Sequence, residues 1–175
     1  DFVTVGVVSL SDTLVESTQG GIGFDAAEMA STGSFINTTG PGSEIYIEAG
    51  VVTLDSSRLE TGSDDASGGG ITIIADTVEI TNVSDIVSQS QAGQSGGSID
   101  IDATDVLIDQ NSYIDVLAGE NSTAGSITID TQNFTIDNDS RLATRSETAG
   151  GIAGSITVTA QGDFAVRNES DLLAP

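Results

Sequence analysis

The sequence predicts an all-β fold: a right-handed parallel β-helix, a solenoid with three short strands in each coil of about 28 residues. Three observations predict it. A Gly-led strand start recurs at nearly constant spacing. Apolar residues lie two apart rather than three and four apart. Clusters of Gly, Ser, Asp and Asn interrupt the pattern every ten residues or so.

The first strand of each unit reads GSEIYIE from Gly42, GITIIA from Gly70, GSIDIDA from Gly97, GSITIDT from Gly125 and GSITVTA from Gly154. Its first apolar residues, Ile45, Ile71, Ile99, Ile127 and Ile156, recur at steps of 26, 28, 28 and 29. Stacked coils would bring these five into one internal ladder. A second strand follows with paired apolar positions: Val52 and Leu54, Val78 and Ile80, Val106 and Ile108, Phe134 and Ile136, Phe164 and Val166. The third is a Ser-x-[Ile/Leu] step, at Ser57, Ser84, Ser112, Ser140 and Ser170, each with its apolar residue two further on. The segments between the third strand and the next Gly vary in length and are rich in Gly, Ser and Ala; they read as loops along one edge of a rod, where length changes are cheap.

Residues 42–175 thus read as five regular coils, and residues 1–41 as irregular or shortened N-terminal coils, within one continuous domain. Val8, Leu10 and Leu14 suit a second and third strand there, and Phe24, Ala26, Phe35 and Ile36 a shortened coil. About six coils in all would give a rod roughly 30 Å long. The last strand is followed by no polar cap, which predicts further coils or identical copies stacked at the end.

Composition narrows the function. Asp and Glu number 27 against four bases, all arginine, for a formal charge of -23. Phosphate-backbone and anionic-lipid binding both need clustered bases, so nucleic-acid and membrane partners are not expected. No stretch is apolar and long enough for a membrane span. With no His, Cys or Lys, the sequence lacks the parts of a Ser-His-Asp or Cys-His nucleophile, a phosphate loop, a Schiff base or a thiolate metal site.

Aligned coils also order the polar residues. One column holds Asp55, Thr81, Asp109, Asp137 and Arg167; the next holds Ser56, Asn82, Gln110, Asn138 and Asn168; a third holds Arg58, Asp85, Tyr113, Arg141 and Asp171. This alignment sets Arg58 over Asp85, Arg141 beside Asp171 and Arg167 beside Asp137. The Asn/Gln column predicts side-chain amides bonding up and down a turn. Like charges stack at Asp102 and Asp130, with Asp100 on the same strand as Asp102, and again at Asp109 and Asp137. These five are candidate ligands for a calcium ion, set against the simpler reading of a solvated acidic face. No EF-hand loop or calcium nonapeptide occurs, and no other cofactor is expected.

Some parallel β-helices cleave acidic polysaccharides with clustered Asp residues, and Asp100, Asp102 and Asp130 could lie near one another. The absence of His and Lys to bind an anionic sugar argues against that, so the chain is not expected to be an enzyme.

The recurring Gly-Ser-Ile-x-[Ile/Val] start, the [Val/Phe]-x-[Ile/Leu/Val] strand and the Ser-x-[Ile/Leu] step resemble filamentous-haemagglutinin-like exoproteins, especially the acidic repeat regions of such proteins in cyanobacteria. The resemblance covers residues 42–174. It implies export by two-partner secretion and an extracellular, cell-surface rod acting in adhesion, aggregation or biofilm matrix. Surface glycans or other cells would be its partners. The alternative is a filament subunit stacking end to end, and a lesser alternative is a polysaccharide-cleaving β-helix.

Overall fold

The structure, a computed structural model, describes residues 4–40, 42–62, 69–90, 94–146 and 150–174. Parts of the variable segments, residues 63–68, 91–93 and 147–149, lie outside them. The described residues form strands and turns with no helix. The strands are β1 (Thr4–Ser11), β2 (Leu14–Ser17), β3 (Ile22–Thr32), β4 (Phe35–Thr38), β5 (Ile45–Asp55), β6 (Arg58–Thr61), β7 (Ile71–Thr81), β8 (Asp85–Gln89), β9 (Ile99–Ile108), β10 (Tyr113–Ala118), β11 (Ile127–Ile136), β12 (Arg141–Ser146), β13 (Ile156–Ala160), β14 (Phe164–Val166) and β15 (Asp171–Leu173).

All pairing between these strands is parallel and joins each strand to its equivalent one coil away. One sheet runs β1-β3-β5-β7-β9-β11-β13, with β14 also on β11; the other runs β2-β4-β6-β8-β10-β12-β15. The chain is therefore a β-solenoid of seven described rungs. Four successive steps, from Ile45 to Ile156, are coils of 26 to 29 residues. The two steps before them are shorter: Thr4 pairs with Asp25 and Ile22 with Ile45, 21 and 23 residues apart. Residues 4–38 thus form two rungs of the same sheets, shortened because only four residues separate Ser17 from Ile22.

Period-2 alternation builds the core. Ile22, Ile45, Ile71, Ile99, Ile127 and Ile156 are partners in register. The four central ones have no exposed surface, while Ile22 and Ile156 are partly buried. Parallel columns are Val8-Met29-Val52-Val78-Val106-Phe134-Phe164 in the first sheet and Val15-Ile36-Leu59-Ile86-Ile114-Leu142-Leu172 in the second. β-Branched residues suit such columns, because stiff side chains interlock with the same side chain above and below.

The first and second strands of a coil run into each other through a bend, and separate only as β13 and β14. Ala27, Gly50, Asp76, Thr104 and Gln132 occupy the bend, where the pairing skips one residue per coil. The small inward residues beside it, Ala26, Ala49, Ala75, Ala103 and Thr131, leave room for the change of direction.

The turn between the sheets is a column of left-handed residues. Asp12, Gly33 and Ser56 make it with one residue; Asn82–Val83, Gln110–Asn111, Asn138–Asp139 and Asn168–Glu169 make it with two, at φ between 46° and 63°. Asn and Asp tolerate this region, and a β-branched residue does not. Val83, at φ 63° and 60% exposed, stands where other coils hold Asn111, Asp139 and Glu169. Val83→Asn is therefore expected to stabilise the fold by about 1 kcal/mol, read as a rise in Tm.

Past the turn, a buried hydroxyl ladder satisfies the backbone. The N–H groups of Thr13, Ser34, Ser57, Ser84, Ser112 and Ser140 each donate to the Oγ of the next coil's serine, at 3.0 to 3.2 Å, ending on Ser170. The hydroxyls of Ser34, Ser57 and Ser84 in turn donate to Thr32, Asp55 and Thr81 carbonyls. A buried N–H left without a partner costs about 1–3 kcal/mol. Ser112→Ala, which orphans the Ser84 N–H, is expected to lose that much in denaturant unfolding, with m unchanged.

Candidate functional site

Two outer faces carry the polar chemistry. On the first sheet, a shallow trough follows the bend along the rod. Its larger part, about 430 Å³, is lined by Asp76, Asp102, Thr104, Asp130, Gln132 and Gln161 among others; its continuation past Ile74 and Asp76 reaches Asp25 and Glu48. The register explains the charge. Asp25, Glu48, Ile74, Asp102, Asp130 and Thr159 form one outward column, so Asp102 and Asp130 are direct partners. Asp100 is one outward position along β9, in a column with Tyr46, Thr72, Thr128 and Thr157. Tyr46 donates to Glu48 at 2.8 Å, and that bond raises its phenol above the ordinary value.

Asp109 and Asp137 lie elsewhere, at the turn. Each Oδ1 accepts two hydrogen bonds: Asp109 from the Gln110 N–H and the Asn138 amide, both at 2.7 Å, and Asp137 from the Asn138 N–H at 2.8 Å and the Asn168 amide at 2.6 Å. Asn82 makes the same diagonal bond to Asp55 at 2.9 Å. The amide column expected to bond along itself thus bonds mainly to the carboxylate column one coil back; the amide-to-amide contact is Asn168 to Asn138, at 3.4 Å. A carboxylate accepts more strongly than an amide oxygen, and the bond offsets like-charge repulsion there. Among the described residues no three His, Cys, Asp or Glu side chains converge as a metal ligand set.

On the second sheet's outer face the arginines find partners that differ in part from the sequence alignment. Arg58 pairs with Asp85 at 3.2 Å and with Glu60 at 2.8 Å. Arg141 shares a register position with Asp171 but pairs instead with Asp115, at 2.6 Å, and stacks over the Tyr113 ring at 4.7 Å. Arg145 reaches the same carboxylate oxygen at 3.0 Å. Arg167 does not pair with Asp137, which is taken by Asn168. A long guanidinium reaches diagonally, and a bidentate partner in a buried setting outcompetes an exposed one directly alongside.

Asp115 is the residue that pattern reading passes over: it points outward, yet its side chain is only 6% exposed beneath the two arginines. The Asp115 hydrogen bond strengthens proton binding on Arg141. Burial pushes the Asp85 carboxyl above the usual carboxylate range, although Arg58 opposes the shift; its Oδ1 is enclosed without a hydrogen-bond partner.

Chemically, the trough presents exposed, repeated carboxylates. Asp102 and Asp130 occupy equivalent exposed positions on neighbouring strands, while the exposed Asp100 stands two residues from Asp102 on the same strand, in register with Thr72 and Thr128. What fold and faces together define is a repetitive acidic β-solenoid. Comparisons with protein-family models, with curated proteins and with solved structures find no match to this chain.

Proposed function

We propose that this chain is a structural and adhesive rod of a secreted bacterial surface protein, of the filamentous-haemagglutinin-like kind its repeat pattern resembles, and not an enzyme. The observation that carries the reading is the uniformity of the solenoid. The same core columns, hydroxyl ladder and turn pass through successive coils, and the polar groups lie on its outer faces as repeating columns rather than in an enclosed pocket. Such a surface suits many weak contacts spread along a length better than one committed reaction.

Two assays test it together. Beads coated with the purified chain are expected to retain bacterial cells or surface glycans, and antibody is expected to label it on intact producing cells. Acidic polysaccharides incubated with the chain are expected to keep their length. Shortening of the polymer that disappears in Asp102→Asn would replace this reading with a glycan-cleaving one.

A further inference from the structure

The outer face of the second sheet gathers its charge into one cluster that spans four rungs. Arg58 and Glu60 come from β6, Asp85 from β8, Tyr113 and Asp115 from β10, and Arg141 and Arg145 from β12. Three guanidiniums thus meet three carboxylates, a local balance in a chain of net charge -23. The sharing is unequal. Asp115 takes Arg141 through Nε at 3.3 Å and a terminal nitrogen at 2.6 Å, and Arg145 at 3.0 Å. Glu60 takes the Arg58 Nε at 2.8 Å and the Gln89 amide. Asp85 takes the other end of Arg58, at 3.2 Å.

The least well served of the three acids is nevertheless enclosed. The Asp85 side chain is 25% exposed, and its Oδ1 is closed off from solvent with no hydrogen-bond partner among the described residues. A carboxylate held this way is costly while it is ionised, and a proton removes the charge. Among the described residues, the charged and titratable groups that face Asp85 are Arg58 and Glu60 from β6, Tyr113 and Asp115 from β10, and Arg141 reaching over from β12. Desolvation is the largest influence and strengthens proton binding; Asp115 adds to it, Arg58 and Arg141 oppose it, and the balance is upward. Neutralising Asp85 leaves the rest of the cluster in place, because Arg58 keeps Glu60 and Asp115 keeps its two arginines.

We propose that Asp85 is a proton switch built into the rod: under mild acid it takes up a proton, and the solenoid becomes more resistant to unfolding. The sign follows from linkage. A carboxyl that holds its proton more tightly in the folded chain than in the unfolded one stabilises the fold when protonated. That contribution is full below the ordinary aspartate range and is lost as the pH rises through the folded value. Since the cluster bridges β6 to β12, successive coils share the gain.

The test compares the 175-residue chain with Asp85→Asn, a neutral side chain of the same shape. At neutral pH the variant is expected to melt a few degrees above the parent. Towards about pH 4 the gap is expected to close, because the parent then carries a neutral group at the same place. Comparing the two at each pH cancels what the other carboxylates contribute. In a chain already carrying Arg58→Gln, the same substitution is expected to show its gap closing at higher pH, since a group that favours the ionised form is gone. Carbon-13 NMR of the Asp85 carboxyl in the unaltered chain is expected to give a titration midpoint above the ordinary aspartate value, a reading that does not depend on how any variant folds. A midpoint at or below that value would overturn the switch. So would an Asp85→Asn chain that melts below the parent at neutral pH and stays below it in acid.

Discussion

Ile127→Asp is expected to unfold the solenoid at neutral pH. Ile127 has no exposed surface and lies between Ile99 and Ile156 in the internal ladder. The substitution removes a fully buried branched side chain, worth about 2–5 kcal/mol, and buries a carboxylate without a partner, which costs several more. Domains have about 5–15 kcal/mol in total, so the sum reaches the whole of it. The damage lies mid-rod, so neighbouring coils lose their stacking partner in turn. Loss of the β spectrum in circular dichroism is the readout, with partial recovery on acidification as the carboxylate is neutralised. Ile152→Asp, at a site 62% exposed, is expected to melt like the parent. An unchanged Tm for Ile127→Asp would mean that the ladder is wrongly assigned.

Gly125→Ala is expected to cost about 3 kcal/mol or more, against the usual gain from replacing a glycine. A Cβ there would lie 2.2 Å from the Gly97 carbonyl oxygen and 2.6 Å from its carbon. Those are backbone atoms of the neighbouring coil, so relief requires the coils to part. Gly97 and Gly154 make the same approach, at 1.9 Å from the Gly69 oxygen and 1.8 Å from the Gly125 oxygen. Gly6→Ala, with nothing within 4 Å of the added carbon, is the control and is expected to change Tm little. Equal effects of the two substitutions would show that close approach is not what these glycines supply.

That glycine column shows where sequence reading succeeds and where it slips. The recurring Gly was plain, but its register was not. The stacked position lies two residues before the ladder isoleucine, so the equivalents of Gly97, Gly125 and Gly154 are Ser43 and Gly69, not Gly42 and Gly70. Spacing finds a glycine, while only backbone geometry says which one cannot take a Cβ. The inward columns were legible because alternation fixes the face and a one-residue slip would turn every side chain outward. The bend at Gly50 and Asp76 was not: the inward residues on either side of it, Ala49 and Val52 or Ala75 and Val78, are three apart, and that break in the alternation reads as a gap between two strands although one strand runs through it. The pairing of Arg141 and Arg145 with Asp115 was hidden for another reason: long side chains reach across columns, and burial of an outward acid depends on what folds over it.

The direction of the ladder hydrogen bonds has a mechanical consequence. They run along the rod, and β1 lies at one end with β15 at the other. Tension applied through the two chain ends therefore peels the terminal strand from its neighbour bond by bond, instead of shearing a whole sheet at once. Each coil released yields about 28 residues, which extend to nearly 100 Å in exchange for a rise of about 4.8 Å. A rod built this way lengthens by roughly twentyfold per coil under load while the remaining coils stay wound, so it behaves as a reel rather than a strut.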